Sequence, residues 1–200
     1  MTKTIDYFFG VGSPWAFIGF DAFLELAKRF DVEIKPHVIP LIEENGAVYS
    51  RNRPDARRAY WTKDLKRWAA LRGKVLNFDN RAALSDPTPA GFLIIAAALK
   101  GADWASLALA LQDAFWSEGR DIGDPAVHIA IADSVGLNGR ELAEQSLASD
   151  VKAQWAANYH IAKDAGVFGL PTFRYEGELY WGQDSLPFLE RHLNGEQLVA

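Results

Sequence analysis

Thr4-Ile5-Asp6-Tyr7-Phe8-Phe9-Gly10-Val11-Gly12-Ser13-Pro14-Trp15 contains a strand, a turn and the first residues of a helix. Aromatic and β-branched residues surround a single aspartate in its first half, a composition that favours a buried strand. Gly10 and Gly12 end that strand. Ser13-Pro14 is a helix-start pair: the hydroxyl can accept from the first unpaired amides, and proline lacks an N–H that the first helical position would not use. Phe17, Phe20, Leu24 and Ala27 follow at helical spacing within residues 15–30. Residues 32–39 then alternate, with Val32 and Ile34 on one side and Glu33 and Lys35 on the other, which predicts a second strand. Strand, helix, strand is one βαβ unit, with parallel strands and a right-handed crossover.

Beyond this unit, residues 40–55 read as a loop carrying Asn45-Gly46 and Arg53-Pro54. Helical spacing returns at 56–72, with Tyr60, Leu65, Trp68 and Leu71 as its apolar side. Residues 76–88 read as irregular, and Asp86-Pro87-Thr88-Pro89 opens the next helix. Further helical patterns cover 89–99, 103–118, 125–135, 139–147 and 150–165. Pro171–Tyr175 and Glu178–Trp181 read as a hairpin turning at Glu176-Gly177. Asp184 is predicted to cap a last helix that starts at Ser185 or Leu186. The order βαβ, helices, ββα describes an α/β domain built like thioredoxin. Residues 1–55 and 166–200 form the thioredoxin-like domain in this reading, and 56–165 an all-helical insertion.

Composition narrows the chemistry. Of 200 residues, 49% are hydrophobic and 24% charged, the balance of one well-packed globular domain. Net charge is −5, so there is no basic excess to neutralise phosphates, and no nucleic-acid partner is expected. The start of the chain has no apolar stretch behind a basic segment. The longest apolar run, Gly91–Leu99, is about half of the ~20 residues a membrane span needs. A cytoplasmic protein with no membrane partner is the expectation. The cysteine count is zero, which excludes disulfides, thiolate metal sites, a cysteine nucleophile and a protein-borne dithiol couple. Twelve Phe, seven Trp and six Tyr leave aromatic surface to line a pocket for a flat ligand.

Two familiar patterns fail around the first turn. A dinucleotide fingerprint G-x-G-x-x-G needs glycine where Trp15 stands, and G-x-S-x-G around Ser13 meets Val11 and Trp15. Ser13 nonetheless sits at a helix N-terminus, which stabilises an anion by ~0.3–1 kcal/mol; its plain alternative is a cap. In Gly169-Leu170-Pro171-Thr172, a proline opening a strand after a glycine turn can follow a cis bond, which is the expectation here. Thioredoxin-like folds place such a proline beside the start of their first helix, with the preceding backbone open to an extended peptide; the plain alternative is a strand-edge proline. His37, His128, His160 and His192 lack metal-site spacing, so no metal is expected. The arginines of residues 51–58 would attract an anionic ligand if they border a pocket.

Ser13-Pro14-Trp15, Gly166-Val167-Phe168-Gly169-Leu170-Pro171-Thr172-Phe173 and Trp181-Gly182-Gln183-Asp184 together resemble the kappa-class glutathione transferases and the 2-hydroxychromene-2-carboxylate isomerases. Ala114-Phe115-Trp116, Asp121-Ile122 and Asp64-Leu65-Lys66-Arg67 add to the resemblance, which runs from about Ile5 to Leu193. It implies a DsbA-like thioredoxin fold with a helical insertion, a homodimer and glutathione as cofactor. Disulfide oxidoreductases of this fold open the helix with C-x-x-C; this chain has Ser13-Pro14-Trp15-Ala16. Any sulfur must then come from a ligand. Carried over by resemblance, Ser13 meets the glutathione sulfur, with Pro14 and Trp15 beside it. Leu170, before Pro171, pairs with the cysteinyl backbone. Asp184 and Ser185 hold the γ-glutamyl ammonium and carboxylate, although many members carry arginine where this chain has Ser185. Asn52 and Arg57 (or Arg58) match residues that reach the cofactor.

The activity implied is glutathione-dependent isomerisation of 2-hydroxychromene-2-carboxylate to trans-o-hydroxybenzylidenepyruvate, a small aromatic carboxylate from naphthalene-type degradation. A kappa-type transferase or peroxidase that consumes glutathione stays open beside it. So does a non-catalytic thioredoxin-like binding domain.

Overall fold

β1 (Lys3–Phe9) and β2 (Val32–Val38) run parallel, joined by α1 (Pro14–Arg29), in a computed structural model that describes residues 2–78 and 86–197. Residues 79–85 of the stretch read as irregular lie outside the described residues. Helices α2 (Asp55–Leu71), α3 (Thr88–Leu99), α4 (Trp104–Trp116), α5 (Pro125–Ser134), α6 (Gly139–Gln145) and α7 (Ser149–Asp164) follow. The chain then returns through β3 (Thr172–Tyr175), β4 (Glu178–Trp181) and α8 (Leu186–Leu193). The strand order is β2-β1-β3-β4, with β3 antiparallel to both neighbours. Pro36 is tolerated in β2 because that strand lies at the sheet edge, where a missing N–H breaks no ladder. The hairpin turns at Glu176 (φ 50°) and Gly177 (φ 89°), the two positive values that a two-residue turn matching the strand twist requires. The thioredoxin-like order predicted from the sequence is the fold observed.

One face of the sheet builds the main core. Tyr7 stacks on Phe9 at 4.5 Å, on Phe173 at 5.3 Å and on Phe20 at 5.4 Å. The same buried cluster continues into Leu93, Ile94, Leu107, Leu111 and Phe115, so α3 and α4 share the core of the sheet. A second cluster lies on the other face, where Phe8, Ile39 and Leu170 meet Ala162 of α7 and Val167. A third, small cluster joins α1 to α2 through Ile18, Leu65 and Ala69.

That third cluster corrects the apolar side expected of α2. Tyr60 and Leu71 are exposed, Trp68 is partly buried, and only Leu65 and Ala69 are buried. The helix covers a narrow core, and the rest of its surface faces solvent. The predicted cap of α8 also differs. Asp184 lies in a preceding 3-10 turn, Gln183–Ser185, and Ser185 is the N-cap residue without a side-chain cap bond. The Ser185 hydroxyl donates instead to the Gly182 carbonyl at 2.7 Å. Among the described residues, no helix is long and apolar enough to cross a membrane.

A polar network pins the sheet on the α7 face. Arg174 donates to Asp6 Oδ2 from Nε (3.0 Å) and Nη2 (2.8 Å), while the His37 ring meets Asp6 Oδ1 at 2.8 Å and Asn158 Oδ1 at 3.1 Å. Burial pushes the Asp6 carboxyl up, but the bonds from His37 and Arg174 outweigh it and hold the carboxyl below its usual value. A depressed folded-state pKa contributes stability above the unfolded value, ~3.9, and that contribution is lost as pH falls through the folded value. Asp6→Asn is therefore expected to cost about 1–3 kcal/mol near neutral pH. The gap from wild type should shrink below about pH 4. Urea midpoints at pH 7 and pH 3 check this; a gap independent of pH would show that the charge is not what stabilises.

Candidate active site

The end of β1 turns sharply into α1. Ser13 N–H donates to the Gly10 carbonyl at 3.0 Å, and Ser13 adopts the extended backbone of an N-cap (φ −81°, ψ 117°). Its Oγ accepts from Ala16 N–H at 3.3 Å and donates to the Leu170 carbonyl at 3.2 Å. Pro14 has no N–H to offer, so Trp15 carries the first amide that α1 leaves unpaired. Ser13 is thus a cap, as its plain reading held, and its hydroxyl also faces the loop before β3.

That loop is built around two close approaches. A Cβ at Gly10 would lie 3.3 Å from Leu170 Cδ1, so the first turn and the last loop touch. A Cβ at Gly169 would fall 2.3 Å from Trp181 Nε1, so the indole lies directly on the glycine backbone. Trp181 also meets Phe168 edge to face at 4.8 Å, and both rings are exposed. The Leu170–Pro171 bond is cis, as predicted. The Pro171 carbonyl accepts from Gly182 N–H at 2.9 Å, and Thr172 Oγ1 donates to the Gly169 carbonyl at 2.7 Å. Leu170 N–H makes no hydrogen bond among the described residues.

The turn that carries Asp184 is clamped from two sides. A Cβ at Gly19 of α1 would sit 2.2 Å from Gln183 Cβ, and the buried Gln183 accepts from Arg72 Nε at 3.2 Å. Gly182 (φ 86°) leaves room for the Asp184 carboxylate, which a Cβ there would meet at 2.4 Å. Asp184 itself is exposed and has no ion-pair partner among the described residues. Gly19, Arg72 and Gln183 were not singled out from the sequence. A glycine inside the otherwise apolar helical run Phe17-Ile18-Gly19-Phe20 was the available signal for a close approach.

The remaining candidates divide. Ser185 donates both its hydroxyl (2.7 Å) and its N–H (3.1 Å) to the Gly182 carbonyl, so neither donor expected to hold a ligand carboxylate is free for one. Asn52, in a 3-10 turn at Ser50–Asn52, and Arg57, in α2, are exposed, and their side chains make no hydrogen bond or ion pair among the described residues. Arg58 pairs with Asp55. Trp15 and Trp61 pack against the same small core of Ile18, Leu65 and Ala69, which links the Ser13 end of α1 to the start of α2.

Glutathione carries a thiol, two peptide amides, an ammonium and two carboxylates. The groups gathered here are a hydroxyl donor at Ser13, free N–H groups at Trp15 and Leu170, and an unpaired carboxylate at Asp184. An extended peptide with a sulfur at the helix start and an ammonium at the Asp184 turn fits that donor set.

Comparison with known proteins identifies the fold. The model of the DSBA-like thioredoxin domain matches residues 4–194. A 2-hydroxychromene-2-carboxylate isomerase from Sphingobium xenophagum is 29% identical over 198 residues, 96% of this chain and 99% of its own. A solved structure of 2-hydroxychromene-2-carboxylate isomerase matches with a TM-score of 0.81 at 21% identity, covering 96% of this chain and 95% of that one. The cytosolic disulfide reductase DsbM from Pseudomonas aeruginosa, solved with GSH, matches with a TM-score of 0.70 at 22% identity, covering 96% and 99%.

Proposed function

The chain belongs to the DSBA-like thioredoxin domain family, and from that premise we propose that it is a glutathione-dependent isomerase. Its reaction in this reading converts 2-hydroxychromene-2-carboxylate to trans-o-hydroxybenzylidenepyruvate. The observation that carries the proposal is Ser13, which stands at the capped start of α1 in a chain without cysteine and directs its hydroxyl at the loop before Pro171. A fold that elsewhere works with its own sulfur keeps the helix terminus and the peptide-binding loop but must take sulfur from a bound thiol. The named activity of the Sphingobium relative supports the isomerase over the other readings.

Bound glutathione supplies a thiolate nucleophile that is regenerated at the end of each turnover. With its hydrogen turned from the Leu170 carbonyl to the ligand, the Ser13 hydroxyl joins the α1 N-terminus in favouring the ionised sulfur, whose unperturbed pKa lies near ~8.5. The N–H and C=O of Leu170 hold the cysteinyl backbone. Asp184 receives the γ-glutamyl ammonium. Trp15 and Trp61 offer aromatic surface to the substrate ring.

The test is thiol balance. The purified protein, given hydroxychromene carboxylate and glutathione, is expected to convert many equivalents of substrate with free thiol unchanged. Thiol loss matching turnover would make it a transferase or peroxidase, and absence of conversion would end the isomerase reading.

Asp184→Asn gives a second check on the cofactor. Because Asp184 does not cap α8, the substitution should leave the melting temperature without ligand unchanged. Removing the charge from an ammonium contact should weaken glutathione roughly tenfold, while an analogue lacking that ammonium binds both proteins alike. Isothermal titration decides. Equal losses for both ligands would place Asp184 away from the γ-glutamyl group.

A further inference from the structure

Seven of the chain's 21 basic side chains fall between Arg51 and Arg67, against two of its 26 acidic ones. In a protein of net charge −5 this is a local reversal of sign. Both acids are already engaged, Asp55 with Arg58 and Asp64 with Arg67. Arg51, Arg53 and Arg57 have no carboxylate partner among the described residues. Arg51 and Arg57 are exposed, Arg51 with its guanidinium 4.3 Å from the centre of the Tyr49 ring, whereas Arg53 is half-buried, with its guanidinium 5.8 Å from the centre of the Trp61 ring. Burial, and then the neighbouring Arg57, push the Arg53 guanidinium pKa down. A cation that is partly desolvated beside a like charge, with no counter-ion, gains from an anion brought by a ligand.

The surroundings select the kind of anion. Trp61 rests on the Ile18–Leu65–Ala69 core, and so does Trp15, two residues past Ser13. Aromatic surface therefore borders both the start of α1 and Arg53. A guanidinium fork recognises a carboxylate in its own plane, and an indole face receives a flat ring. We infer that Arg53, with Trp61 beside it, anchors the carboxylate of a planar aromatic ligand. This deepens the isomerase reading, since it names the residue that would select the substrate's charged end. Arg51 and Arg57, exposed nearby, draw the anion in through their field.

Calorimetric titration with chromone-2-carboxylate and with the matching uncharged carboxamide tests this without turnover. Wild type is expected to prefer the carboxylate roughly tenfold or more. Arg53→Gln should abolish the preference, and Arg53→Lys should keep part of it. Lys63→Gln removes the same charge from an exposed position on α2 and should leave the preference within about twofold. Glutathione affinity should be the same in all four proteins. The inference is overturned if wild type shows no preference, if Arg53→Gln retains it, or if Lys63→Gln loses as much. It is also overturned if Arg53→Gln weakens glutathione instead, which would assign Arg53 to a cofactor carboxylate. An Arg53-dependent preference in a protein that fails to isomerise hydroxychromene carboxylate would leave this site standing and remove the isomerase reading alone.

Discussion

Ser13→Ala is expected to lower turnover about 10²–10³-fold while glutathione affinity stays within a few-fold of wild type. The hydroxyl is one donor, directed at the Leu170 carbonyl across the start of α1. In the proposed site it turns from Leu170 to the ionised sulfur, whereas Leu170 and Asp184 hold the rest of the peptide. Removing a donor that acts on a resident anion in a sheltered site affects the reacting state far more than the binding of the whole ligand. The same hydroxyl caps α1 through Ala16, so alanine also costs about 1 kcal/mol of stability. Ser13→Gly separates the two roles, because glycine caps within a few tenths of a kcal/mol of serine yet carries no hydroxyl. Kinetics and melting temperatures of both variants give the answer. A slow, stable glycine variant supports the thiolate role. Turnover within a few-fold of wild type in either variant would make Ser13 a helix cap and nothing more.

The frame of the molecule was open to reading because its elements follow local rules. Ser13-Pro14 starts α1, Glu176-Gly177 turns the hairpin, and the alternation in residues 32–35 puts Val32 and Ile34 on the less exposed side of β2. The cis bond before Pro171 follows from a proline at a strand start after a glycine turn. What escaped the sequence depends on which elements meet. Tyr60 and Leu71 have helical spacing, yet α2 covers so small a core that both remain in solvent. Asp184 has the chemistry of a cap, but Gly182 inserts a 3-10 turn that displaces it from α8. Gln183 belongs to the Trp181–Asp184 motif, but its side chain shows no role in the sequence. Its burial against Gly19 and Arg72 is visible only once α1, α2 and the last turn are brought together. Arg53 was one of four neighbouring arginines until burial beside Trp61 distinguished it.

Gly19→Ala should destabilise the protein although it improves helix propensity. Glycine in a helix interior is about 0.5–1 kcal/mol worse than alanine, so propensity alone predicts a gain. The added Cβ would lie 2.2 Å from Gln183 Cβ, a side-chain atom next to the backbone that cannot swing away as a flexible tip could. Either α1 or the Gln183–Ser185 turn must move, and overpacking of this kind costs about 1–3 kcal/mol. For a chain of this size that corresponds to a fall in melting temperature of roughly 2–12 °C. The displaced turn carries Asp184, so glutathione affinity should fall with stability. The loss should be larger for glutathione than for the analogue without its γ-glutamyl ammonium, because only the Asp184 end of the site has shifted. Combining Gly19→Ala with Gln183→Gly distinguishes a clash from other effects of the extra methyl. Glycine removes the Cβ and leaves the Cα at 3.4 Å, so Gly19→Ala should cost much less in the Gln183→Gly background than in wild type, whereas equal costs would mean no clash. A melting temperature raised by Gly19→Ala alone would show that α1 and the turn are not in contact at this point, and the clamp that positions Asp184 would fall with it.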